Sequence, residues 1–136
     1  MSSTASKIKI RILVVDDEPD ILLAISSILG RRGHYVKTFD KPRSALEHLT
    51  SEVARYDLVI TDYRMPGGIS GLDLAKTAKK EARKTKVFLM TAFDISALPE
   101  VDEMLKSEIV DKILQKPIPN DKLIAIIEKS FLHNNH

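Results

Sequence analysis

At 136 residues, with 21 Lys and Arg against 19 Asp and Glu for a formal charge of +2, the chain fits one domain, and a domain of this size buries roughly 68–70% of its unfolded surface without staples. The absence of cysteine excludes disulfides, thiolate zinc sites and thiol nucleophiles, which suits a cytoplasmic location, and the balanced charge argues against nucleic acid as a partner. No apolar run approaches the roughly 20 residues of a membrane span, so no membrane association is expected.

Residues 1–8, opening Met1-Ser2-Ser3-Thr4-Ala5-Ser6, lack the apolar core of a signal peptide and read as a disordered tail. The domain then spans 9–132, followed by a short tail at 133–136. Lys9 to Val15 alternates basic and apolar residues and becomes continuously apolar, the pattern of a central parallel strand. Asp17 and Pro19 open a helix with Ile21, Leu22, Ile25, Ile28 and Leu29 at helical spacing, ended by Gly30 or Gly33. His34 to Phe39 is a second strand. Asp40 with Pro42 begins a second helix whose apolar positions are Ala45, Leu46, Leu49 and Val53. Asp57 to Thr61 is the third strand, and the loop from Arg64 to Gly71 holds a proline and three glycines, the strongest turn signal in the chain.

Leu72, Ala75, Ala78 and Ala82 mark a third helix, with Lys76, Lys79, Lys80, Arg83 and Lys84 on its polar side. That basic stripe reads as a solvated face. Lys86 to Met90 is the fourth strand, a shorter helix runs from about Ser96 to Lys106, and Ile109 to Leu114 is the fifth strand. Lys116-Pro117-Ile118-Pro119 breaks the chain before a closing helix carrying Leu123, Ile126, Ile127 and Phe131. Strands alternating with helices imply right-handed crossovers, hence an α/β, doubly wound parallel sheet covered on both faces. His34 and His48 read as surface or strand-edge residues, and His133 and His136 fall in the tail.

Ligands in such sheets sit beyond the carboxyl ends of the strands. Four strand ends here carry chemistry: Asp16-Asp17-Glu18, Asp62, Thr91 and Lys116. Singly, each has a plain structural reading as an acidic helix cap, a strand end or a turn. Together they form one site. Converging carboxylates repel one another unless a hard divalent ion with oxygen ligands neutralises them, and Mg²⁺ bound this way keeps waters and takes phosphate oxygens. Asp62 would then be a nucleophile forming an acyl phosphate, Lys116 a counter-charge, and Thr91 a hydroxyl donor to a phosphoryl oxygen.

These residues carry a resemblance. Val14-Val15-Asp16-Asp17-Glu18-Pro19, Asp62-Tyr63-Arg64-Met65-Pro66 with Gly71-Leu72, Thr91-Ala92 and Lys116-Pro117 make the sequence similar to the receiver domains of two-component response regulators, from about Lys9 to Phe131. The resemblance implies a flavodoxin-like, five-stranded sheet ordered 2-1-3-4-5 with five helices, and a cis peptide before Pro117. It implies Asp62 as phosphoacceptor, Mg²⁺ held directly by Asp17 and the backbone carbonyl of Arg64 with Asp16 acting largely through water, and Thr91 and Lys116 as switch hydroxyl and phosphate clamp. A histidine kinase or histidine phosphotransfer protein would be the donor. A stand-alone receiver would act on a downstream protein, self-catalysing its phosphorylation without being an enzyme, and both monomer and homodimer fit the resemblance.

The departures matter as well. Where the family has an aromatic switch residue, three positions before the lysine, this chain has Ile113, so Thr91 is expected to reposition the Ala92-Phe93-Asp94 loop and the short fourth helix instead. Gly67-Gly68 lengthens the loop after Pro66 by one residue, and Ile109 stands where glycine is frequent. Arg64 and Phe93 flank the expected phosphoryl group and should hinder water, lengthening the phosphoryl state. Two rivals are a Mg²⁺-dependent aspartyl-nucleophile phosphohydrolase of the haloacid dehalogenase type, which would need an acid where Arg64 stands, and a phosphorylation-independent interaction domain.

Overall fold

The computed structural model describes residues 8–132, so the histidines at 133 and 136 and all but the last residue of the first tail lie outside the described residues. Five strands, β1 (Arg11–Val15), β2 (Tyr35–Phe39), β3 (Leu58–Asp62), β4 (Lys86–Thr91) and β5 (Lys112–Gln115), form one sheet in the order β2-β1-β3-β4-β5, with every pair parallel. Five helices, α1 (Pro19–Arg31), α2 (Pro42–Glu52), α3 (Gly71–Glu81), α4 (Val101–Lys106) and α5 (Asn120–Leu132), cover its faces. The doubly wound architecture and strand order expected from the sequence are both present.

Alternation along the strands sorts the core into two layers. Leu13, Val15, Val59, Val87 and Leu89 pack with Ala45, Leu49, Leu74, Ala75, Ala78 and Met104 from α2, α3 and α4. Ile12, Val14, Leu58, Ile60, Phe88 and Met90 pack with Leu22, Ile25, Leu29, Leu123, Ile127 and Phe131 from α1 and α5. Side chains such as Phe88, Leu13 and Ile60 are fully buried, each contributing roughly 1.5–3 kcal/mol relative to exposure. Ile8, placed by the sequence in the tail, packs half-buried against the second layer. The Val53 side chain lies outside the described residues.

Several boundaries move for local reasons. α4 is shorter than expected: a 3-10 turn at Ile95–Ala97 is separated from it by Leu98, whose φ of −97° and ψ of 108° are extended. Pro99 forces this break, because a residue before proline is steered out of the helical region. β5 begins at Lys112 rather than Ile109, because Glu108 turns into the left-handed region at φ 63° and the Asp111 carboxylate takes the Val87 amide at 2.8 Å. α3 starts at Gly71 behind a capping box in which the Ser70 hydroxyl accepts from the Asp73 amide and the Asp73 carboxylate accepts from the Ser70 amide. Ala82 falls just past its end in extended conformation.

His34 is not at the surface. Its ring is buried between β1 and α5: Nδ1 accepts from the Ile10 amide at 3.1 Å, while Nε2 lies 3.5 Å from a Glu128 carboxylate oxygen that also pairs with Arg32. Burial holds its pKa below the ordinary value. His48 is half-buried, its Nε2 2.8 Å from the Tyr56 hydroxyl and its ring 5.1 Å from that of Phe39. Both histidines are structural.

Candidate phosphoryl-acceptor site

Strand register brings the candidate residues to one edge. Val15 pairs with Thr61, Asp62 with Met90 and Thr91 with Gln115, so Asp16, Asp62, Thr91 and Lys116 all emerge at the carboxyl ends of adjacent strands. Buried, largely apolar strands carry Asp16, Asp62 and Thr91 there, and the partly exposed β5 carries Lys116. Two backbone features keep the approach to Asp62 clear. Gly67 and Gly68 adopt φ of 99° and 82°, which turns the β3–α3 loop aside. Gly71 leaves the room that the Asp62 carbonyl needs: a Cβ there would run into the Asp62 carbonyl oxygen and press on Leu89.

Asp16, Asp17 and Asp62 each offer a carboxylate oxygen, all within 4.8 Å of one another. Lys116 is the counter-charge. Its Nζ donates to Asp16 Oδ2 at 2.7 Å and lies 3.4 Å from Asp62 Oδ1 and 3.6 Å from Glu18 Oε2. Asp16 is fully buried and its other oxygen accepts from the Glu18 amide at 2.9 Å. The carboxyl of Asp62 is pushed up to about 6, chiefly by burial and further by the charges of Asp16 and Asp17, against the pull of Lys116. Burial opposes the charge on Lys116, but its hydrogen bond and attraction to Asp16, with the charge of Asp62, outweigh it and raise its pKa. This donor set fits a hard divalent cation: three oxygen-bearing anions meet one ammonium, which leaves excess negative charge among the described residues at this edge.

Thr91 is buried at the end of β4, and its hydroxyl oxygen accepts from the Phe93 amide at 3.1 Å. Arg64 and Phe93 meet each other: the guanidinium sits 4.9 Å from the Phe93 ring centroid and 5.4 Å from that of Tyr63. Ile113 is half-buried in the layer beneath α4, with no aromatic ring at that position.

Two residues not singled out from the sequence complete the surroundings. Glu100, just ahead of α4, accepts from the Tyr63 hydroxyl at 2.7 Å and lies 3.8 Å from the Arg64 guanidinium. The Tyr63 hydroxyl holds the Glu100 carboxyl below its ordinary range. Gln115 clamps the β4–α4 loop: its amide nitrogen donates to the carbonyls of Thr91 at 3.1 Å and Phe93 at 2.7 Å, and its oxygen accepts from the Ile95 amide at 3.0 Å. An amide side chain immediately before Lys116 was the one available signal for this clamp. Nothing local in sequence links Glu100 to residues 63 and 64.

Comparison with known proteins agrees with this geometry. Residues 12–128 match the family described as response regulator receiver domain. The response regulator protein PilR of Pseudomonas aeruginosa is 34% identical over 115 residues, covering 85% of this chain and 24% of that protein. Among solved structures, the response regulator protein TrrA from Thermotoga maritima in complex with Mg²⁺-BeF is 35% identical with a TM-score of 0.71, covering 88% of this chain and 96% of that one. The chemotaxis protein CheY4 of Vibrio cholerae superimposes with a TM-score of 0.76 at 25% identity, over 90% of this chain and 98% of that one. The chain spans about a quarter or less of the length of the first curated relatives it matches.

Proposed function

The chain belongs to the family of response regulator receiver domains, a signalling module of two-component systems rather than an enzyme with a substrate of its own, and on that premise we propose that it accepts a phosphoryl group on Asp62. The observation that carries the proposal is the juxtaposition of Asp62 with Asp16, Asp17 and the Lys116 ammonium at the carboxyl edge of the sheet. A carboxylate held there is flanked by a candidate cation site and by a positive charge that can follow a developing phosphoryl oxyanion.

In the transfer step an Asp62 carboxylate oxygen attacks the phosphorus of a phosphohistidine on a kinase or phosphotransfer protein. The P–O bond forms as the P–N bond breaks, and the imidazole departs with the electron pair and takes a proton from solvent. Lys116, freed from part of its duty to Asp62 when that carboxylate becomes an acyl phosphate, pairs with the new phosphoryl oxygens. Thr91 supplies a neutral hydroxyl donor from the neighbouring strand end. Mg²⁺ would be held by Asp17, Asp62 and the Arg64 carbonyl, with Asp16 acting largely through water, and when bound it supplies neutralisation of the charge gathered on the phosphoryl oxygens. The bulk of the Arg64 and Phe93 side chains, two residues after Asp62 and Thr91, narrows the approach of an in-line water and so lengthens the phosphoryl state. The position two residues after Asp62 offers a guanidinium and no proton to a leaving alcohol, which weighs against the phosphohydrolase reading.

Intact mass after incubation with Mg²⁺ and acetyl phosphate tests the proposal. One phosphoryl group should be gained by the native chain and none by Asp62→Asn. Equal masses for the two proteins, with no Mg²⁺ binding, would leave only a constitutive binding role.

A further inference from the structure

An aromatic side chain is missing at position 113, yet Phe93 stands 52% exposed beside the site. It is tied to the site twice: its amide donates to the Thr91 hydroxyl at 3.1 Å, and its ring lies under the Arg64 guanidinium at 4.9 Å. Both partners are groups that a phosphoryl dianion on Asp62 would claim. Resting on the reading of Asp62 as phosphoacceptor, we propose that Phe93 is the residue that carries the phosphorylation state to the surface, in place of the aromatic absent at Ile113.

The energetics favour an easy release. A cation over an exposed ring is held weakly. The Arg64 and Glu100 pair, with side chains 56% and 33% exposed and 3.8 Å apart, is a solvent-screened surface contact that adds little. A phosphoryl dianion two residues before Arg64 presents charge-assisted, bidentate acceptors, roughly twice as strong as neutral hydrogen bonds. Arg64 therefore leaves Phe93 and Glu100 for the phosphoryl oxygens. The hydroxyl of Thr91, drawn to the same group, either drags the Phe93 amide with it or lets it go. Each route moves the ring.

Glu100 then keeps its Tyr63 partner but loses the neighbouring cation. It immediately precedes α4, which buries a single side chain, Met104. A cavity of about 240 Å³ lies between α3 and α4, lined in part by Glu100, Met104 and Ile109, so α4 has room to shift once Arg64 withdraws.

The test is fluorine NMR on the full chain with 4-fluorophenylalanine at its four phenylalanines. Phe93→Leu assigns the resonance by its disappearance. Adding Mg²⁺ with beryllofluoride, a phosphoryl mimic, should shift the Phe93 resonance more than those of Phe39, Phe88 and Phe131. Arg64→Ala should move the free protein's Phe93 resonance toward its beryllofluoride-bound position, and Thr91→Ala should shrink the remaining response. A Phe93 resonance that stays in place while bound beryllofluoride is seen directly, or one indifferent to Arg64→Ala, overturns the proposal and leaves Asp62 as acceptor. Absence of any bound beryllofluoride, with no phosphoryl gain by mass, overturns both.

Discussion

The ammonium of Lys116 donates to Asp16 at 2.7 Å across a sequence separation of 100 residues, and Asp16 is wholly buried. Lys116 is thus a fold residue as well as the proposed phosphate clamp. Lys116→Met should cost about 3 kcal/mol at pH 7 by urea unfolding, because it leaves a buried carboxylate without its partner. Saturating Mg²⁺ should recover most of that loss, since a cation that binds only the folded chain replaces the missing charge. A loss unaffected by Mg²⁺ would locate the defect in packing.

Asp62 gives a pH dependence of definite sign. Its folded pKa of about 6 lies above the ordinary carboxyl value, so the folded chain binds the extra proton between about pH 4 and 6. Stability contributed by the protonated acid is fully present below that window and lost as pH rises through 6. Asp62→Asn should therefore be more stable than the parent above pH 6 in chelator, by up to about 3 kcal/mol, and equal to it near pH 4. His34 works in the opposite sense, because its lowered pKa makes acid destabilising. The comparison is accordingly made between variant and parent at each pH, by thermal unfolding.

One substitution should have opposite signs at two glycines. Gly30 lies inside α1 with nothing within 4 Å of a built Cβ, so Gly30→Ala should stabilise by about 0.5–1 kcal/mol. Gly71→Ala should destabilise by about 2 kcal/mol or more, because the methyl group collides with the Asp62 carbonyl. Displacement of Asp62 should also slow phosphorylation by acetyl phosphate, which Gly30→Ala should leave unchanged.

Glu108 occupies the left-handed region at φ 63° just after α4, where a side chain costs roughly 1 kcal/mol that glycine avoids. Glu108→Gly should raise stability by about that amount in chemical denaturation, with no effect on phosphorylation.

Gln115 holds the loop that carries Phe93. Gln115→Met keeps the volume and removes the clamp, so the Ile95 amide should exchange with solvent at least about tenfold faster, the equivalent of one ordinary hydrogen bond. Unchanged exchange at Ile95 would show that the loop is held by its own Asp94 turn, in which the Asp94 carboxylate accepts from the Ser96 amide and hydroxyl.

The parallel sheet and the four charged or hydroxylic strand ends were legible in the sequence, because buried strands announce themselves as apolar runs and their ends as polar stops, whereas the strand order came with the resemblance to receiver domains. The start of α3 was readable in principle from Ser70 and Asp73, whose capping box is local chemistry. What escaped depended on contacts between separated loops. Glu100 acquires its meaning only from Tyr63 and Arg64, and His34 from Glu128. The shortened α4 was readable in principle, since Pro99 sits inside the stretch assigned to it.

The span between Asp16 and Lys116 also bears on biosynthesis. The acidic residues emerge from the ribosome early, whereas the ammonium that balances them arrives only with the segment after β5. A nascent chain lacking that segment holds crowded carboxylates and no clamp. The edge that gathers Asp16, Asp62 and Lys116 is therefore complete only once the segment after β5 is in place, and a half-made or proteolytically clipped chain would hold the carboxylates without their ammonium.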